Sequence, residues 1–435
     1  LRDRLVLQSR LIDNRQIDGE RVTAALSTPA GFPSLGILVA VESLLAATTL
    51  GLLLLDMTTS FGRYWAASLA LYVWLYFWFS GRFEESFERA VSVHLELEQL
   101  GSVLGVLESR SYGSTPALAD LCRPLQEQDV RPSKILAHAA RIMNALSVKA
   151  HPLVHLAINV LAPWDLIFTL RLQRLQDRVR TLVPIWLAIL ADCEAASALA
   201  TLASLHTDMT WPSPLPPDVD APVGSAAVQA TALGHPLIPI QKRIANDLTL
   251  EGVGHLWVVT GSNMSGKSTF LRTIGINVCL AQAGGPVCAS AFSWTWVRLA
   301  CCIRIDDSLD AGLSFFYAEV KQLKRLLDAA QDRRAAPVLF LIDEIFKGTN
   351  NRERLIGSRA YLRSLVASHG FGLVTTHDLQ LADLDRELPT VQNRHFQETV
   401  SEGRLSFDYR LRLGPCPTTN ALRIMQLEGL PIEDQ

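Results

Sequence analysis

The sequence predicts a C-terminal α/β domain built on a parallel sheet, preceded by an all-α region with an apolar helical hairpin. Three observations carry this. The apolar run 256–259 leads into a glycine-rich turn at 261–268, GSNMSGKS. A second apolar run, 337–342, ends in Asp343-Glu344. Two further apolar runs, 35–55 and 64–80, lie close together near the start.

The phosphate-binding turn carries the most specific chemistry in the sequence. Strand, glycine-rich turn and helix start form the context a phosphate loop needs. Gly261 and Gly266 let backbone N–H groups turn toward phosphate, and the following helix adds its positive N-terminal end. Lys267 is placed to reach the β- and γ-phosphates of ATP, and the Ser268 hydroxyl to hold Mg²⁺. Ser262, Asn263, Met264, Ser265 and Thr269 complete the expected nucleotide-binding stretch.

The run 337–342 is continuous enough to be a strand buried on both faces of a parallel sheet. Acidic residues at its C-terminal end land at the ligand edge of such a sheet. Asp343 is therefore expected in the Mg²⁺ shell, and Glu344 as the group that orients or deprotonates the attacking water. A third buried strand, 371–376, ends in His377. A neutral imidazole there would hydrogen-bond the γ-phosphate; a plain strand-end histidine is the competing reading.

The all-α region divides by composition. Residues 1–90 are expected to form a helical segment holding the hairpin, and 91–210 a helical core with a lever-like role. A bilayer span needs roughly 20 apolar residues; the run 35–55 meets this and 64–80 barely does. Arg10, Arg15 and Arg21 precede the pair and Arg82 and Arg89 follow it, while the connector holds only Arg63. The positive-inside rule then puts both ends in the cytoplasm. This implies a cytoplasmic C-terminal domain anchored to the inner (cytoplasmic) membrane. The competing reading is a hairpin buried in a soluble bundle, with Glu42 satisfied inside it. The stretch 170–179 alternates Arg, Gln and Asp with Leu, as an exposed amphipathic helix does. Residues 211–223 hold five prolines and are expected to be a linker before the domain at 224–435.

The bulk numbers exclude little. With 435 residues the length prior is about two to three domains. A net charge of −3 supplies no global basic field for nucleic acid, so any DNA contact must be local. Seven cysteines without a Cys-x-x-Cys pair argue against a zinc site or disulfide framework. The chain begins at Leu1 rather than Met, as a piece of a longer protein would, and no cleavage-like site follows its first apolar run.

Together these motifs resemble the MutS family of DNA mismatch-repair proteins. The loop at 261–269 is close to that family's, Asn263 and Met264 included. Asp343-Glu344 followed by Gly348-Thr349-Asn350 is similar to its extended acidic motif, and Thr375-Thr376-His377-Asp378 to its switch histidine. Asp306-Asp307 and 312–320 resemble its signature segment, which in the family contacts the nucleotide of the opposite subunit. Residues 234–236 and 244–247 resemble the lead-in to the adenine pocket, which makes Ile244 and Asn246 candidate contacts. Residues 417–431 are similar to the family's C-terminal helical element. The resemblance implies an ABC-type P-loop ATPase that uses ATP and Mg²⁺. It also implies a homodimer with composite sites, each completed by Ser314, and double-stranded DNA as a partner.

The departures are specific. Ser262 and Ser265 stand where the family usually has Pro and Gly, and Phe315 where it usually has Thr. No Phe-x-Glu mismatch wedge lies in a suitable N-terminal domain, so mismatch-specific DNA binding is not expected. Two alternatives stay open: a membrane-associated, transporter-type ATPase, and an ATP-dependent scaffold that does not act on DNA.

Overall fold

The structure, a computed structural model, describes residues 34–59, 62–128, 130–215, 226–262, 264–303, 315–346, 350–401 and 404–417. The chain divides into two compact units, Leu1–Ser197 and Ala198–Gln435.

The first unit is helical: α1 Leu35–Thr59, α2 Tyr64–Ser109, α3 Pro116–Gln126, α4 Pro132–Leu146, α5 Pro152–Leu161 and α6 Trp164–Leu205, whose last turns belong to the second unit. Proline opens α3, α4 and α5, where its fixed φ suits the first turn and its missing N–H leaves no bond unmade. The core draws on α2, α3, α4 and α6. Leu172, Leu175, Val179, Leu182 and Trp186 recur at helical spacing along α6 and are buried against Leu100, Leu104 and Leu107 of α2. The stretch 170–179 is thus amphipathic, with Arg171, Arg174 and Arg180 on its exposed face. Trp186 Nε1 donates to the Val130 carbonyl at 3.1 Å. The buried Glu108 accepts from the backbone N–H of Ser133 at 2.9 Å and from its hydroxyl at 2.6 Å.

The hairpin departs from the expected two short arms. Its second run does not stop near residue 80 but continues as one helix of 46 residues, so the expected boundary at 90 falls inside α2. Among the described residues two helices are long and apolar enough to cross a membrane, α1 and α6, while 64–79 is a shorter apolar stretch. Large apolar side chains on both arms face outward, among them Ile37, Leu44, Leu54, Phe77 and Trp78. Glu42 is buried, and neither of its carboxylate oxygens has a hydrogen-bond partner among the described residues. Deeper in the unit, Asp165 accepts from Tyr76 at 3.0 Å and lies 2.8 Å from His155 Nε2.

In the second unit the main sheet has the strands β4 Leu256–Thr260, β6 Arg298–Cys302, β7 Val338–Asp343, β8 Gly370–Thr376, β9 Val391–His395 and β12 Arg412–Leu413, in the order β12-β9-β4-β8-β7-β6. All neighbours are parallel except β12 against β9. Strands β4, β7 and β8 are buried at every residue, as their unbroken apolar runs require. Helices α7 Lys267–Gln282, α8 Phe315–Gln331 and α9 Asn351–Val366 cover the sheet, with the short α10 Leu384–Glu387 before β9. A smaller sheet has the order β1-β5-β2-β3, from Ser213–Pro214, Ala291–Trp294, Ala226–Leu233 and Asn246–Glu251. Part of the proline-rich stretch is therefore strand: β1 runs parallel to β5, and Leu215 N–H donates to Trp294 O at 2.7 Å. A two-stranded ribbon, β10 Glu398–Ser401 and β11 Arg404–Phe407, completes the unit.

Candidate active site

The sheet order sets the C-terminal ends of β4, β8 and β7 side by side, although they are far apart in sequence. Ligands bind at this edge in open α/β sheets. Each strand end contributes one part of the site.

The turn after β4 depends on left-handed backbone at Gly261 (φ 149°), Met264 (φ 72°) and Gly266 (φ 101°). Glycine is required at 261 for a second reason: a Cβ there would approach the Phe396 carbonyl oxygen to 2.7 Å. Gly266 then caps α7, whose first residue is Lys267. The Lys267 side chain is buried, and its ammonium donates to the carbonyls of Gly261 and Ser262, both at 2.7 Å. Burial pushes its pKa below the ordinary lysine value, against the pull of Glu344, Asp343 and Glu398. A buried ammonium ringed by backbone oxygens is a position that phosphate oxygens can take over. Ser265 holds the turn by donating to the Ser262 carbonyl at 2.8 Å.

Ser268, in the first turn of α7, donates to Asp343 Oδ2 at 2.6 Å, and Thr375 of β8 donates to Asp343 Oδ1 at 2.6 Å. A hydroxyl and a carboxylate already in contact beside the phosphate turn fit Mg²⁺, which takes oxygen ligands and keeps substrate phosphate in its shell. Glu344 adopts φ 61°, a costly conformation for a residue with a side chain. Its backbone N–H donates to the Thr375 carbonyl at 3.0 Å, and its carboxylate lies 3.2 Å from His377 Nδ1. The left-handed Phe346 (φ 57°) follows, its N–H donating to the buried Glu319 carboxylate at 2.7 Å. A residue of the signature-like segment thus steadies the backbone just beyond the candidate base.

The structure therefore brings together Gly261, Ser262, Ser265, Gly266, Lys267, Ser268, Asp343, Glu344 and His377. Met264 is exposed above the turn, and Thr269 is exposed in the first turn of α7. Asn263 and Ser314 lie outside the described residues, as do 347–349 and the expected C-terminal element from 418 on. Ile244 is 42% exposed. The Asn246 side chain is committed to backbone, donating to Tyr409 O at 3.0 Å and accepting from Leu411 N–H at 2.7 Å.

Three neighbours of the site carry no signal in the sequence. Glu398 of β10 is buried and accepts from the Ser262 hydroxyl. Tyr409 lies over the turn, where a Cβ on Gly266 would meet its ring at 2.9 Å. Arg354 of α9 lines a cavity together with Glu344 and His377. Each reaches the site through tertiary packing, and none belongs to a local motif.

Residues 257–433 match the family model described as MutS domain V. Over 247 residues the chain is 31% identical to "DNA mismatch repair protein MutS 2" of Halobacterium salinarum, a match covering 56% of this chain and 27% of that relative. The chain thus corresponds to about a quarter of the relative's length. MutS domain V is a domain of the P-loop ATPase type. The phosphate turn, the acidic strand end and the histidine strand end all fall inside the residues similar to MutS domain V, and a helical region precedes them in the chain.

Proposed function

We propose that this protein binds ATP with Mg²⁺ and hydrolyses it. The observation that carries the reading is the convergence of Lys267, Ser268, Asp343, Glu344 and His377 at three adjacent strand ends. Lys267 and the turn's N–H groups bind the phosphates. Ser268 and Asp343 hold Mg²⁺, which when bound offsets charge on the β- and γ-phosphates. Glu344 takes the proton of the attacking water as its oxygen bonds to the γ-phosphorus, and the bond to the bridging oxygen breaks to leave ADP. His377, held against Glu344, senses the γ-phosphate.

The reading extends to a homodimer whose sites are each completed by the partner's copy of the segment around Ser314. Nucleotide-driven closure of that dimer moves the helical unit. The role in mismatch repair named for the relative, and the exposed arginines of α6, support duplex DNA as a partner, bound through phosphates without preference for a mismatch. The outward apolar face of the hairpin supports anchoring at a membrane.

Two substitutions test the core of this. Lys267→Ala should lose ATP affinity. Glu344→Gln should bind ATP and leave it uncleaved, with turnover down by roughly 10²–10⁴-fold. Near wild-type turnover by Glu344→Gln would remove Glu344 from the mechanism.

A further inference from the structure

A cavity opens on the α9 side of Glu344 and His377, and its other walls are Arg354, Ser358 and Thr376 with the apolar Ile345 and Leu381. Arg354 and Ser358 are four residues apart on α9 and so share one face of that helix. Ser358 is 0% exposed, and its hydroxyl has no hydrogen-bond partner among the described residues. A buried hydroxyl left without a partner costs on the order of 1–3 kcal/mol, so it calls for a ligand or a role. Arg354 is half-buried and forms no ion pair among the described residues. The Thr376 hydroxyl accepts from Asp378 N–H at 3.0 Å, which leaves its own proton free to be donated. An unpaired guanidinium and two hydroxyl donors in one concave wall are the chemistry of a small tetrahedral oxyanion site.

We propose that this cavity binds inorganic phosphate, and that it receives the phosphate formed at the neighbouring nucleotide site. The inference rests on the ATP-hydrolysis reading above. Glu344 and His377 form the wall between the cavity and the nucleotide site. Phosphate can leave by this side while ADP still occupies the turn after β4.

The test is equilibrium dialysis of radiolabelled inorganic phosphate against the full chain, with and without saturating ADP and Mg²⁺. The wild type should bind phosphate in both states. Arg354→Ala should weaken it about tenfold, the loss of one charge-assisted anchor, and Arg354→Lys should recover part of that. Ser358→Ala removes an unpartnered hydroxyl, so it should fold normally and still weaken phosphate several-fold. Lys267→Ala should keep phosphate, because the phosphate turn is a different site. No phosphate binding by the wild type overturns the inference. So does binding that survives Arg354→Ala and Ser358→Ala but is lost in Lys267→Ala, which would place the ion in the turn. An ATP titration of the same protein decides the hydrolysis reading separately: failure to bind ATP sinks that reading, while the dialysis still decides the cavity.

Discussion

The Ser262 hydroxyl donates to the buried carboxylate of Glu398, which fastens the phosphate turn to β10. Position 262 is one where this chain departs from the family's usual proline, and the serine supplies a donor that proline lacks. Ser262→Ala should leave the buried carboxylate short of a partner and cost about 1–3 kcal/mol. Glu398→Gln preserves an acceptor and should cost less. A double-mutant cycle of Ser262→Ala with Glu398→Ala, read by urea unfolding, should give a coupling of at least about 0.5 kcal/mol. Strictly additive effects would mean that the pair does not act as a unit.

Gly372 sits in β8 with φ 156°, and a Cβ built on it would come within 2.0 Å of the Phe340 carbonyl oxygen on β7. The two strands are hydrogen-bonded neighbours, so the clash cannot be relieved without breaking their pairing. Gly372→Ala should destabilise the second unit by on the order of 3 kcal/mol. Chemical denaturation measures this directly, and an unchanged midpoint would contradict the close strand approach.

His235 has its pKa pushed below the ordinary value of 6.5, first by burial and then by the charges of Arg272 and Arg243. Its Nδ1 also accepts from the Leu237 N–H at 3.2 Å, a bond that only the imidazole lone pair can make. The unfolded chain therefore takes up this proton at higher pH than the folded one. The stability contribution is present above about 6.5 and is lost as the pH falls through the lower folded value. His235→Gln should flatten that part of the stability curve. An NMR titration of the folded protein showing His235 protonating at or above 6.5 would be the contrary result.

Ile37, Leu44 and Leu54 on α1 and Phe77 and Trp78 on α2 present apolar surface that water would have to cover. Expressed in cells, the protein should stay in the membrane pellet after alkaline carbonate and come out with detergent. Complete release by carbonate alone would favour a face covered by protein.

Strands β4, β7 and β8 are legible in the sequence because burial on both faces forces an unbroken apolar run, and because each run ends in residues with recognisable chemistry. The spacing of Leu172, Leu175 and Val179 likewise marks the buried side of α6. Other features are hidden for identifiable reasons. The second arm of the hairpin looks finished near residue 80, because polar residues enter there, yet nothing in 81–99 breaks a helix and α2 continues. Strand β1 is concealed by Pro214 and the prolines around it; an edge strand can accommodate such a residue because its outer N–H groups need no partner. Glu398 lies 136 residues from Ser262, so no local pattern joins them.

The spatial order of β4, β8 and β7 differs from their order in the chain, because β8 is inserted between strands that precede it. The candidate site's groups are held by strand register, and the lengths of the intervening segments do not position them. Residues 332–337, which link α8 to β7, enter the sheet at the end opposite the site. Extra chain inserted there would lengthen the path from turn to carboxylate without moving either. An affinity tag or reporter could therefore be spliced into this link while the opposite rim keeps its geometry.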